Sequence, residues 1–197
     1  MTKDDIVVVP APNLRKRSQR VGVVTDEIKQ LIADMKSAAI DWEQSRDHES
    51  AVGLAAVQVD KLYRVFIVRN DTEDEADDQF TVFINPEIVK QIGPMEEDFE
   101  GCLSVPEIYG KVPRYQCVKV KALNENGQPF RVTAYGFLAR LLQHETDHTQ
   151  GKLFIDCIKD SKNAFYKMDD EGKIIPLDYD KDIKDNTILW GAEHASA

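Results

Sequence analysis

The chain reads as an α+β protein in which antiparallel β-sheets pack around a central metal-binding His-Glu-x-x-His helix, with a further helix near the N-terminus. Three observations predict this. A helical apolar stripe comes first, alternating apolar runs fill the middle, and Gln143-His144-Glu145-Thr146-Asp147-His148 ends an apolar helical run.

Taken in order, Thr25 followed by Asp26 and Glu27 marks a helix start, a capping hydroxyl with acids near the positive end of the dipole. Ile28, Leu31, Ile32, Met35, Ala39 and Trp42 then recur at helical spacing as a core stripe. Residues 43–50 are polar and read as a loop. The period then becomes two, so residues 64–69 and 80–84 are predicted strands. Residues 71–78 between them hold six acids and read as a solvated hairpin tip, lacking the glycine and closing Glu of a calcium loop. Residues 117–123 and 130–134 alternate on either side of Asn126-Gly127, a strong hairpin signal. Residues 135–142 are apolar nearly all round, as in an internal helix, and Gly151 supplies a stop.

In the helix motif, positions i and i+4 share a face, so His144 and His148 can offer imidazole nitrogens to one cation. Glu145, beside the first, is placed to take a proton from activated water. A hydrolytic metal site normally has three protein ligands and one open position. No His follows His148 where a third would extend the motif, and neither His48 nor His194 has a promising context. Cys102, in Glu100-Gly101-Cys102-Leu103-Ser104, is the better candidate, since a thiolate suits iron, zinc or nickel. Cys117 and Cys157 read as small buried apolar residues.

Composition sets bounds. A chain of 197 residues and 22.4 kDa is expected to form one main domain. A formal charge of −10 argues against a nucleic-acid-binding surface. Residues 1–5 are polar, Ile6-Val7-Val8-Val9 is too short for a signal-peptide core, and no apolar run approaches ~20 residues. Three cysteines, one a candidate ligand, suit a reducing compartment, so a cytoplasmic location is expected.

Three ordered segments carry a resemblance: Val52-Gly53-Leu54-Ala55-Ala56-Val57-Gln58, Glu100-Gly101-Cys102-Leu103-Ser104 and Gln143-His144-Glu145-Thr146-Asp147-His148. Together with Phe83-Ile84-Asn85-Pro86, Val112-Pro113-Arg114 and Gly151-Lys152-Leu153-Phe154-Ile155-Asp156, they resemble peptide deformylases over roughly residues 10–158. Ala51, Val57 and Thr149 depart from the usual pattern, but none is a ligand, the acid-base carboxylate or the glutamine. The resemblance implies hydrolysis of the formyl group from N-formylmethionine at the start of new polypeptides, releasing formate. It implies Cys102, His144 and His148 as ligands of one divalent metal, Fe2+ natively, with Zn2+ or Ni2+ possible in purified protein. It also implies Glu145 as acid-base group, the Gln58 amide and Leu103 N–H as oxyanion donors, and backbone groups of Val52, Gly53 and Gly101 as substrate contacts. Glu100 and Arg114 match a structural salt bridge of the family, and Asp147 is expected to orient the site.

Two rivals are distinguishable. A zinc peptidase would recruit a distant acid or His, whereas a thiolate ligand gives a charge-transfer band with cobalt. A silent peptide- or metal-binding module would release no formate from formyl-Met-Ala-Ser. The division expected is a catalytic domain over residues 1–160 and a polar extension over 161–197, partly docked or disordered, with 193–197 disordered. Some bacterial deformylases dock on ribosomal RNA through a basic C-terminal helix. Residues 159–197 here hold six lysines, no arginine and nine acids, so no such anchor is expected, and truncation after Asp160 should leave ribosome co-sedimentation unchanged.

Overall fold

The computed structural model describes residues 1–45, 50–71, 78–169 and 171–191. The middle of the polar loop at 46–49, most of the acidic hairpin tip at 72–77 and the terminal residues 193–197 lie outside the described residues.

Helix α1 (Asp26–Gln44) begins where the Thr25 hydroxyl accepts a hydrogen bond from the Ile28 N–H at 3.4 Å. Its whole predicted stripe is buried, joined by Ala38, and packs on Leu54, Val65, Ile67, Val82 and Ile84.

Among the described residues seven strands make one antiparallel sheet: β1 (Gly53–Ala55), β2 (Val65–Arg69), β3 (Phe80–Cys102), β4 (Val105–Leu123), β5 (Pro129–Tyr135), β6 (Phe165–Met168) and β7 (Ile174–Pro176). The spatial order is β1-β2-β3-β4-β6-β7, and β5 also pairs with β4. The predicted turn closes the β4–β5 hairpin, with the Gly127 N–H donating to the Asn124 carbonyl at 2.9 Å and Gly127 at φ +75°.

The alternating runs at 80–84 and 117–123 are only one end each of two long strands. Residues 89–99 of β3 are mostly exposed, so no core imposes an apolar alternation on them. The β3–β4 register also slips at four places, between Ile84 and Glu87, Ile88 and Lys90, Ile92 and Met95, and Glu100 and Cys102. Such bulges bend the ribbon. Helix α2 (Gly136–His148) consequently touches every strand from β1 to β5.

The run at 135–142 is not buried all round, contrary to expectation. Residues 139–146 and His148 are buried, whereas Tyr135, Phe137 and Leu138 are 69%, 52% and 37% exposed. The helix enters from the rim of the sheet, and only after its first turn does it lie under the strands. It ends at His148, and Gly151 (φ +75°) turns the chain away; a Cβ there would stand 2.6 Å from the Arg15 carbonyl oxygen.

The chain continues through α3 (Phe154–Ile158), β6, β7 and α4 (Thr187–Trp190). Phe165, Ile183 and Leu189 are buried in one cluster with Val105, Phe154, Ile155 and Ile158. Cys117 is buried as expected, but Cys157 is exposed, its thiol facing Asp147 Oδ2 at 3.9 Å.

Candidate active site

His144 and His148 lie one turn apart on α2 with their Nε2 atoms 3.2 Å from each other. Cys102 reaches them from the end of β3, just before the two-residue turn Leu103-Ser104 that leads into β4; its Sγ is 3.3 Å from His148 Nε2. All three donor atoms lie within 4.8 Å of one another. Tetrahedral coordination with bonds of about 2.0–2.3 Å puts ligand atoms about 3.3–3.7 Å apart. The two measured edges are close to that spacing, so the donors fit one divalent cation.

The electrostatics agree. Burial opposes a charge on His144, yet hydrogen bonds to Cys102 and Glu100 raise its pKa well above the ordinary value. Burial and the adjacent His144 charge hold His148 well below its own.

Behind the donors lies a buried ion network. Glu100 Oε2 faces His144 Nδ1 at 2.9 Å and accepts from Arg114 Nη2 at 3.1 Å. Its Oε1 accepts from Arg114 Nε at 2.9 Å and from Arg140 Nη1 at 2.8 Å. Burial alone would raise the Glu100 pKa; His144 and then Arg114 overcome it and hold the carboxyl at about 2. Asp147 plays a different part from the one its sequence position suggests. It accepts from Arg114 Nη1 at 2.5 Å, and the carboxylate that orients a histidine is Glu100.

Glu145 is buried, and that burial pushes its carboxyl up to about 7, against the pull of His144. Its Oε2 meets no hydrogen-bond partner among the described residues. Gln58 sits in the short 3-10 turn after β1 (Ala56–Val59). Its Oε1 accepts from the Ala55 N–H at 2.8 Å, which fixes the amide so that Nε2 points inward, 3.2 Å from Ser104 Oγ and 3.5 Å from Cys102 Sγ. The Leu103 N–H meets no acceptor among the described residues.

Val52, Gly53, Gln58, Gly101, Cys102, Leu103, His144 and Glu145 all line one cavity of about 290 Å³; the third donor, His148, does not line it but meets Cys102 Sγ from behind at 3.3 Å. The Val52 carbonyl accepts from the Arg69 N–H at 2.9 Å, within the sheet. Alternation along the strand then turns the Gly53 N–H and C=O to the free edge of β1. Both glycines make room. A Cβ on Gly53 would lie 2.5 Å from Glu145 Oε1, and one on Gly101 would lie 2.9 Å from the Tyr109 ring.

Sequence reasoning missed three contributors. Arg140 bonds Glu100 and also donates to the carbonyls of Val112 at 2.6 Å and Glu96 at 2.8 Å. Its signal was a lone charge in an apolar helical run, one turn before His144. Ser104 accepts from the Gln58 amide, a contact that its place at the end of the Glu100-Gly101-Cys102-Leu103-Ser104 segment does not reveal. Trp42 lines the cavity although it belongs to the apparent core stripe of α1.

The comparisons with known proteins agree with this geometry. The profile of the polypeptide deformylase family matches residues 3–164. Peptide deformylase 1 of Ralstonia nicotianae is 42% identical over 164 residues, 83% of this chain and 91% of that protein. The peptide deformylase of Thermomicrobium roseum is 41% identical over 84% of this chain and 92% of its own length. Among solved structures, a peptide deformylase from Legionella pneumophila superposes with a TM-score of 0.69 at 39% identity, covering 77% of this chain and 83% of that one. The Thermotoga maritima enzyme gives 0.68 at 35% identity, covering 77% and 95%. With its helix motif, thiolate loop and glutamine turn meeting at one cavity, the chain belongs to the polypeptide deformylase family.

Proposed function

We propose that this protein hydrolyses the formyl group from N-formylmethionine at the N-terminus of newly made polypeptides, releasing formate. The observation that carries this reading is the grouping of the Cys102, His144 and His148 donors at a cavity that Gln58, Cys102, His144 and Glu145 line together.

Cys102, His144 and His148 would hold one divalent metal, Fe2+ in the native protein, and the same donors would accept Zn2+ or Ni2+ in purified protein. A divalent cation held there would supply Lewis acidity to the reaction. Glu145 takes the proton of the attacking water and returns it to the departing amine. Its unpartnered buried oxygen and raised pKa suit a group that carries a proton part of the time. The Gln58 amide and the Leu103 N–H donate to the oxygen on which negative charge develops. Glu100, gripped by Arg114 and Arg140, keeps the His144 ring in place.

The substrate backbone adds to the free edge of β1 through Gly53, with Val52 and Gly101 bordering it. Main-chain pairing is itself independent of side-chain identity, which suits an enzyme acting on many nascent proteins.

Residues 1–160 carry this apparatus and residues 161–197 form the extension. No described helix is long and apolar enough to cross a membrane. The cytoplasm is the proposed location, and nascent chains are met without a basic anchor on the ribosome. Formate release from formyl-Met-Ala-Ser by the Fe2+-loaded protein tests the reading; no formate from a protein that retains its metal would reject it.

A further inference from the structure

The family match ends at residue 164, yet the cavity does not end with it. Met168, the last residue of β6, lines the same cavity as Glu145 and His144. We infer that β6 of the C-terminal extension is a wall of the substrate cavity, and that Met168 with Phe99 forms an apolar rim that selects the residues following the N-terminal methionine. This inference rests on the deformylase reading.

Three observations support it. First, β6 is joined to the hairpin that carries Cys102: Tyr166 pairs with Tyr109 and Phe165 with Gly110. It does so where β4 bulges, since between the pairs Glu100–Gly110 and Cys102–Val105 four residues of β4 face one of β3. Those four, Pro106, Glu107, Ile108 and Tyr109, all line the cavity. A strand bonded to the bulge holds that wall in shape.

Second, side chains of β6 meet the rim. The Tyr166 ring packs edge-on against Phe99, centroids 5.0 Å apart, and Lys111 Nζ lies 5.2 and 5.5 Å from the Phe99 and Tyr166 centroids. Phe99 is 39% exposed and Met168 half-buried, as fits an apolar rim that a passing chain can cover.

Third, the distances assign the rim to residues after the first. Phe99 lies three residues from Cys102 along β3, at most about 10 Å for extended chain and less across the register shift between Glu100 and Cys102. A methionine side chain reaches only about 5 Å from its own Cα. The rim thus stands away from the metal donors, toward the part of the cavity that the residues after the first would cross.

The test is kcat/KM on formyl-Met-Xaa-Ser and formyl-Met-Ala-Xaa peptides, with Xaa leucine or serine, for the metal-loaded wild type, Met168→Ser and Lys167→Ser. Lys167 is the exposed neighbour on the opposite face of β6. Met168→Ser should lower the leucine-to-serine ratio at one of the two positions about 5-fold, mainly through KM, because a rim contact contributes uniform binding. Lys167→Ser should keep the wild-type ratio. An unchanged ratio at both positions in Met168→Ser, an equal loss on all peptides, or the same change in Lys167→Ser would overturn the rim. If the wild type released formate from no peptide, the deformylase reading itself would fail instead.

Discussion

Gly53→Ala is a perturbation whose cost can be worked from the geometry. The new Cβ would stand 2.5 Å from Glu145 Oε1, 3.0 Å from its Cδ and 3.1 Å from Leu141 Cδ1, where ordinary contacts begin at 3.4 Å. The carboxylate must retreat by about 0.9 Å, the difference between the first and last of those distances. Because the obstructing atoms are the far end of a flexible side chain, stability should fall little. Position is another matter: a displacement of about 1 Å in a catalytic group costs on the order of 10²-fold in rate, or ~2.7 kcal/mol of barrier. The loss is bounded by that of removing the base altogether, ~10²–10⁴-fold. Formate release should therefore drop about 100-fold, with metal content and thermal midpoint near wild type. Wild-type turnover in a folded, metal-loaded Gly53→Ala protein would refute the proposed placement of Glu145.

Other outcomes follow from the same site. Cys102→Ser should lose metal affinity or activity while Cys117→Ser and Cys157→Ser keep both; equal metal and turnover in all three would remove Cys102 from the site. Glu145→Ala should keep metal and fold but lose ~10²–10⁴ in turnover, and loss of metal there with retention in Cys102→Ser would reverse the two roles. Arg140→Met should destabilise the fold by about 3 kcal/mol, as a broken buried ion pair with stranded carbonyls does; a loss below ~0.5 kcal/mol in urea unfolding would contradict the network. In the metal-free protein the Glu100 carboxyl, held at about 2 in the fold against an ordinary 4.5, adds stability that is fully present above pH 4.5 and lost as pH falls through about 2. A 13C carboxyl titration of Glu100 with its midpoint near 4.5 would show that the pairing is absent. Truncation after Asp160 would strip Phe165, Ile183 and Leu189 from a core cluster. Ribosome co-sedimentation is better compared between wild type and exposed-charge variants such as Lys167→Ser, and a salt-sensitive affinity lost in the variant would contradict the anchor-free reading.

Local rules made part of this protein legible from its sequence. Helix periodicity exposed the α1 stripe, the Asn126-Gly127 turn marked its hairpin, and the i, i+4 spacing put His144 and His148 on one face. These depend on residues close in the chain, where backbone geometry leaves few choices. The lengths of β3 and β4 were not legible, because bulges interrupt period two and an exposed face carries no apolar alternation. Tertiary structure alone decided that Arg140 belongs to the Glu100 network, that Asp147 holds Arg114 instead of a histidine, and that Cys157 is exposed. It also decided that Gly53 must lack a Cβ because Glu145, 92 positions later, fills that space. Such contacts depend on how distant segments cross in space, and a linear pattern does not encode that crossing.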